Sequence, residues 1–369
     1  MRILPIILLA ASSGYGCQGQ SAQTVGGGCD GCEMMLEGMP ERINAMDTSI
    51  AWNATDKRMV ITGTVYQSNG KIPAGGTIVY YYHTNREGRY AQTKGQINGK
   101  LHGNLRGWVK VDKAGHYKIF TSVPGAYPNE KIPAHVHMIV KEPGINEYYI
   151  DDIHFDDDPL LTTALRKKNQ SRGGSGVIMT EEKDGVTYVE RNITLGLHIP
   201  NYPVENEQQI ASGLSVGENC PAFDPIHFSG PDKGKRRCPM CSYGSGQGVI
   251  IWWNDPNTET LAGLLKKFDP MIELYGPKNL RVFVVYMNPE KKVIEVVTKD
   301  LTNLAARSEL KNCALTFIPI PDDQLTFNDY QLNQKVKNTI MIYRKRKIID
   351  KFVNYQGQDL SELLHRLTL

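Results

Sequence analysis

Ile132-Pro-Ala-His-Val-His-Met-Ile-Val140 decides how the first half of the chain is read. From His135 onward it alternates imidazole with apolar side chains: His135, Val136, His137, Met138. A period of two marks a β-strand, in which residues i and i+2 share one face. His135 and His137 would then point the same way and could reach one metal ion. Two histidines in a strand are equally an ordinary polar pair, so the pattern alone leaves both readings open. Tyr127, eight residues before His135, adds an oxygen donor nearby in sequence.

Around this stretch, short apolar runs at residues 59–64, 76–83, 108–111, 116–121, 135–140 and 185–195 are separated by turn residues such as Ser68-Asn-Gly70, Asn98-Gly99, Asp112-Lys-Ala-Gly115 and Glu142-Pro-Gly144. Regular short strands with turn signals predict an all-β sandwich over residues 48–203. Residues 166–175 (RKKNQSRGGS) read as an exposed loop, and 204–212 as a polar linker. From residue 213 to 369 the pattern changes to α/β. VIIWW (249–253) and LRVFVVYM (280–287) are buried-strand runs flanking a helical period over 258–274, and a third strand is expected at 314–320. A hairpin is expected over 339–354, and Asp359 is placed to cap a final helix.

The chain has 369 residues, room for about two or three domains. Its 42 Lys+Arg nearly balance 39 Asp+Glu, for a net charge of +3. That balance argues against a nucleic-acid partner, which calls for a clustered basic face. Residues 1–16 read as a signal peptide: Met1-Arg2, an apolar run to Ala11, then small residues. Cys17 follows a glycine, as a bacterial lipoprotein's acylated cysteine would, although Gly14 stands where an aliphatic residue is usual. The expectation is export to the bacterial cell envelope with a lipid anchor on Cys17; the alternative is plain secretion. Residues 17–47 read as a glycine-rich tether containing Cys29-Asp-Gly-Cys32, either a disulfide-pinned turn or a metal or redox pair with Met34 and Met35 beside it. Of seven cysteines, six remain if Cys17 is lipidated, an even number that permits disulfides in an exported protein.

Residues 104–159 resemble the intradiol ring-cleavage dioxygenases, which open catechols between their two hydroxyls. The resemblance is carried by Leu105-Arg-Gly-Trp-Val109, Asp112-Lys-Ala-Gly-His-Tyr117, Ser122-Val-Pro-Gly-Ala-Tyr-Pro128, Pro133-Ala-His-Val-His137 and Phe155-Asp-Asp-Asp-Pro159, with Tyr82-His-Thr-Asn-Arg-Glu-Gly-Arg-Tyr90 upstream. It implies a ferric iron, Fe(3+), held by Tyr90, Tyr127, His135 and His137, with Tyr80, Tyr81 and Tyr82 as neighbours that could take the place of Tyr90. It further implies a small aromatic diol and O2 as substrates and a muconate-type diacid as product. Tyr127 would be the tyrosinate that leaves the iron and takes up the substrate's proton. Two departures stand out. Ile132 occupies the place of an arginine, and Asp152 that of a glutamine near the Phe155 motif. Both remove help for an anionic substrate, so a neutral or cationic catechol is expected. Arg106 is a catalytic candidate if it faces the pocket, and otherwise a surface residue. The acidic run from Asp151 to Asp158 reads as a calcium site or, alternatively, as a turn.

Residues 213–369 resemble a thioredoxin-like α/β domain. Cys238-Pro-Met-Cys241 looks like its redox motif, but it precedes the 249–253 strand instead of following it, and Lys337-Asn338 stand where a cis-proline is expected. Cys238 and Cys241 are therefore a structural disulfide, a metal pair with Cys220, or a relocated redox pair. Two other functional readings stand beside the enzyme: a non-catalytic envelope binding module with a vestigial metal site, and a redox protein whose β-sandwich is an adaptor.

Overall fold

The structure is a computed structural model that describes residues 24–54, 57–92, 102–204, 206–319, 323–356 and 367. The expected signal peptide, Cys17, the Asn98-Gly99 turn and the helix opening at Asp359 lie outside the described residues.

Strands with alternating burial build two sheets in the first half. One contains β1 (Met46–Thr48), β2 (Arg58–Tyr66), β5 (His116–Ser122), β9 (Glu181–Lys183) and β10 (Val186–Glu190), in the order β1-β5-β2-β10-β9, with β11 (Ile193–Thr194) also paired to β2. The other runs β4-β3-β6-β7-β8 through β4 (Arg106–Lys110), β3 (Ile78–His83), β6 (His135–Lys141), β7 (Tyr148–Phe155) and β8 (Val177–Ile178). Met59, Ile61, Ile119, Val79, Tyr81, Val136, Met138 and Val140 meet between them in one apolar core. Because strand side chains alternate, burying Val136, Met138 and Val140 sends His135, His137 and Ile139 to the outer face of the second sheet.

That outer face is covered, and the cover corrects the tether reading. From Thr24 on the chain packs against the sandwich. The 3-10 turn at Cys32–Leu36 buries Met35 completely among Tyr80 and Ile139, and the Trp108 indole donates to the Met35 carbonyl at 2.7 Å. Aromatic side chains on the sheet's outer face need an apolar partner, and Cys32 and Met35 supply it. Residues 171–174, expected on the surface, are also buried. Arg172 donates to the carbonyls of Tyr149 and Gly26 and ties the N-terminal segment down.

The second half is a six-stranded mixed sheet in the order β12-β15-β14-β13-β16-β17. Its strands are β12 (Ile226–His227), β13 (Gln247–Trp253), β14 (Arg281–Tyr286), β15 (Ala314–Phe317), β16 (Asn338–Arg344) and β17 (Lys347–Val353). Helices α3 (Thr258–Tyr275) and α4 (Ile294–Arg307) cover one face through Leu261, Leu265, Phe268, Val297 and Leu301. The other face is covered by Phe223, Met240, Phe327 and Tyr330, the last two from and just after α5 (Asp323–Asp329). Burial of both faces explains why these strands read as unbroken apolar runs. The smaller helices are α1 (Thr163–Lys168) and α2 (Pro239–Tyr243). Residues 212–216 stitch the halves together: Thr194 Oγ1 meets Ser215 Oγ at 2.6 Å, Tyr66 donates to the Val216 carbonyl at 3.0 Å, and buried Lys351 donates to the carbonyls of Ser212 and Gly213.

Met35→Ala is expected to destabilise the β-sandwich by about 2–4 kcal/mol, as other buried Met truncations do, read as a lower urea midpoint. A midpoint unchanged from wild type would mean that the segment is a free tether after all.

Candidate metal centre

The site begins where β6 begins. The Ala134 amide donates to Asp158 Oδ2 at 2.8 Å, which pins the entry to the strand. His135 Nδ1 lies 2.8 Å from the Pro133 carbonyl, and His137 Nδ1 lies 3.1 Å from Asp152 Oδ1. Both partners accept only, so both Nδ1 atoms carry the proton and both Nε2 atoms present lone pairs. The two Nε2 atoms face each other at 3.1 Å.

Two phenols close on the same space. Tyr90 Oη is 2.9 Å from His137 Nε2 and 2.6 Å from Tyr127 Oη, and Tyr127 Oη is 3.4 Å from His135 Nε2. The loops that carry them are pressed together backbone to backbone. Asn85 turns the first loop, its carbonyl accepting from Gly88 at 3.0 Å and from Gly125 at 2.9 Å. Thr84 Oγ1 donates to the Gly125 carbonyl at 2.7 Å. A Cβ on Gly88, at φ +72°, would lie 1.8 Å from the Ala126 carbonyl oxygen, and one on Gly125 would lie 2.2 Å from that of Arg86. Only glycine permits this approach. Each glycine stands two residues before its tyrosine, in Gly88-Arg-Tyr90 and Gly125-Ala-Tyr127. That repeated spacing is a sequence signal for the pairing of the loops.

The neighbours of Tyr90 are otherwise engaged. Tyr81 faces the core and donates to Asp47 at 2.7 Å, and Tyr80 Oη meets His102 Nδ1 at 2.9 Å. The Tyr82 ring lies flat against His137 at 4.4 Å, with His102 stacked on its other side at 3.6 Å. Arg106 shares this outer face, where it donates to the Met34 carbonyl at 3.5 Å and lies over the Trp108 ring. Ile132 is 37% exposed, and its aliphatic side chain carries no charge.

Burial raises the phenol pKa of Tyr90 and of Tyr127, and for Tyr90 the hydrogen bond with Tyr127 adds to it. Burial, then His137, lowers that of His135. Without a cation both phenols and His135 are therefore neutral. Two phenol protons then serve a cluster in which both Nε2 lone pairs still face each other. A cation at the centre would remove that repulsion and displace the phenol protons, so the donor set fits a hard, highly charged metal ion. His135, His137 and Asp152 also lie close enough together to count as a metal triad. Asp152, however, meets the Nδ1 side of His137, and it stands behind the ring instead of among the four donors. Burial opposes ionisation of its carboxyl, but His137, His135 and His154 outweigh it and hold the pKa below the usual value.

The remaining sequence candidates lie elsewhere. Cys29 pairs with Cys32 and Cys238 with Cys241, while Cys220 and Cys313 are buried free thiols. Cys238 Sγ caps α2 by accepting from the Cys241 amide at 3.0 Å. The acidic run is consumed locally: Asp158 accepts from the amides of Ala134 and Leu160, and Asp156 pairs with Arg166.

The dioxygenase family model matches residues 44–182. That stretch is similar to the dioxygenase family, and it contains all four donors. Similar solved structures include the dioxygenase domain of a carbohydrate-binding fusion protein from Streptomyces sp. SirexAA-E, at 16% identity and TM-score 0.33, over 43% of this chain and 94% of that one. Hydroxyquinol 1,2-dioxygenase from Pseudomonas putida DLL-E4 matches at 23% identity and TM-score 0.33, over 43% of this chain and 62% of its own. Catechol 1,2-dioxygenase from Acinetobacter sp. ADP1 matches at 17% identity and TM-score 0.34, over 46% of this chain and 63% of its own. The match thus spans under two thirds of the latter two enzymes.

Gly125→Ala is expected to force the two tyrosine loops apart. The overlap should cost about 1–3 kcal/mol in stability and weaken binding of a trivalent metal ion at the four donors. A thermal melt and iron titration indistinguishable from wild type would show that the close approach does not matter.

Proposed function

We propose that this protein is an exported, lipid-anchored, ferric-iron dioxygenase that cleaves a catechol-type ring between its hydroxyls with O2, releasing a muconate-type diacid. The observation that carries this reading is the convergence of Tyr90 Oη, Tyr127 Oη, His135 Nε2 and His137 Nε2 within 2.6–3.4 Å of their neighbours. Two phenolates and two neutral imidazoles suit iron in its higher charge state, since hard oxygen anions stabilise it. When bound, the iron supplies Lewis acidity and a place for the catechol oxygens.

The residues of the chain would then divide the work. Tyr90, between Tyr127 and His137, would help hold the ion. Tyr127 Oη takes up a proton from a substrate hydroxyl, and its burial-raised pKa makes its phenolate a stronger base than usual. Tyr82 holds the His137 ring flat and keeps water from that side. With an uncharged Ile132 three residues before His135 and the Asp152 carboxylate behind His137, the site favours a neutral or cationic catechol over an acidic one. The two disulfides support export to an oxidising compartment. Among the described residues no helix is long and apolar enough to cross a membrane. In the second half, the β13-α3-β14 unit and the β16-β17 hairpin support a thioredoxin-like scaffold carrying a structural Cys238–Cys241 bridge.

Loading the purified protein with ferric iron should produce a visible tyrosinate-to-iron charge-transfer band that shifts on adding catechol. Tyr90→Phe and Tyr127→Phe should each diminish it. A protein that stays colourless after loading would leave the non-catalytic binding module as the better reading. For substrate choice, catechol and an alkylcatechol should exceed protocatechuate in kcat/KM by about tenfold, the worth of one like-charge repulsion across roughly 10 Å at an effective dielectric near 20. Faster turnover of protocatechuate would contradict the charge argument.

A further inference from the structure

The register between β6 and β7 contains an irregularity with a chemical consequence. His135 pairs with His154 and Val136 with Ile153, but Met138 pairs with Ile150. Asp151 and Asp152 therefore both stand opposite His137, which is a β-bulge. Strict alternation from Tyr148 and Ile150, both in the core, would put Asp152 in the core and Ile153 outside. The bulge shifts the phase by one residue. Ile153 and Phe155 enter the core, and Asp152 joins His154 on the face that carries the histidines. Asp151 goes instead to the neighbourhood of Arg191 and Arg172.

The two imidazoles are thereby backed differently. His135 Nδ1 donates to a neutral backbone carbonyl, and His137 Nδ1 to a carboxylate. Each contact selects the form with its lone pair on Nε2, but only the carboxylate adds a negative charge behind its ring. We propose that Asp152 is a positioning residue that holds His137 with Nε2 turned into the donor cluster and places one fixed negative charge behind it. The proposal rests on the ferric-iron reading and deepens it, by making the site more electron-rich than two phenolates and two carbonyl-backed histidines would be.

Asp152→Asn keeps an acceptor oxygen and removes the charge, whereas Asp152→Ala removes both. In metal-free protein, 15N NMR of the His137 ring should show the Nδ1-protonated form in wild type and in Asp152→Asn, and a mixture of tautomers in Asp152→Ala. The dissociation constant for gallium(III), a redox-inert probe, should rise about 10–100-fold in Asp152→Ala. The charge-transfer band of the iron form should move to longer wavelength in both variants, because loss of the charge makes the iron a better electron acceptor. A single Nδ1-protonated tautomer in Asp152→Ala, with gallium affinity within about twofold of wild type, would overturn positioning. An unmoved band in Asp152→Asn would overturn the charge effect. If wild type takes up neither gallium nor iron, the metal reading fails, while the tautomer measurement still decides whether Asp152 positions His137.

Discussion

Strand β6 must satisfy two different environments at once, and the first domain is arranged around that requirement. Its inward side chains, Val136, Met138 and Val140, belong to the sandwich core. The alternate positions carry His135 and His137 to the opposite face. The core thereby fixes the direction of both imidazoles, since a slip of one residue would drive the histidines into the apolar interior and expose the apolar side chains. Burial that drives folding and orientation that serves chemistry are the same pleat seen from its two faces.

Everything else at the site is brought to that strand from a distance in sequence. The tyrosines come from loops that can touch only because Gly88 and Gly125 lack side chains. The backing carboxylate comes from a bulge in β7. The cover on the neighbouring part of that face comes from the N-terminal turn, where Met35 packs against Tyr80, Trp108 and Ile139. Arg172 connects that turn to the strand bearing Asp152, through the carbonyls of Gly26 and Tyr149. A site assembled from so many segments is held by the closed fold more than by any one element.

Much of this was legible in the residues. The His-x-His alternation identified β6 and the shared direction of its imidazoles, because strand periodicity is local. The apolar runs at 249–253 and 280–287 identified two central strands of the second sheet for the same reason. α4 was equally legible, since its buried positions, Val297, Leu301, Leu304 and Ala305, stand at i, i+4, i+7 and i+8 with polar residues between them, yet it is missing from the elements expected from the sequence. The glycine-rich stretch before residue 46 looked like a tether because its composition is that of a flexible linker. Its few apolar side chains happen to match an aromatic face that no local pattern reveals.

The sequence by itself determined the strand that carries the histidines, the shared direction of their side chains, and the change from β to α/β organisation near residue 213. These follow from side-chain chemistry and from periods of two and 3.6 residues, which a chain carries wherever it is placed. Only the tertiary structure decided that Tyr90, and not Tyr80, Tyr81 or Tyr82, presents its oxygen to the histidines, and that Asp152 stands behind His137. Those outcomes depend on a bulge whose register is set by the partner strand and on a backbone contact between loops about 37 residues apart in the chain. Such contacts are properties of two segments together, and neither segment encodes them alone.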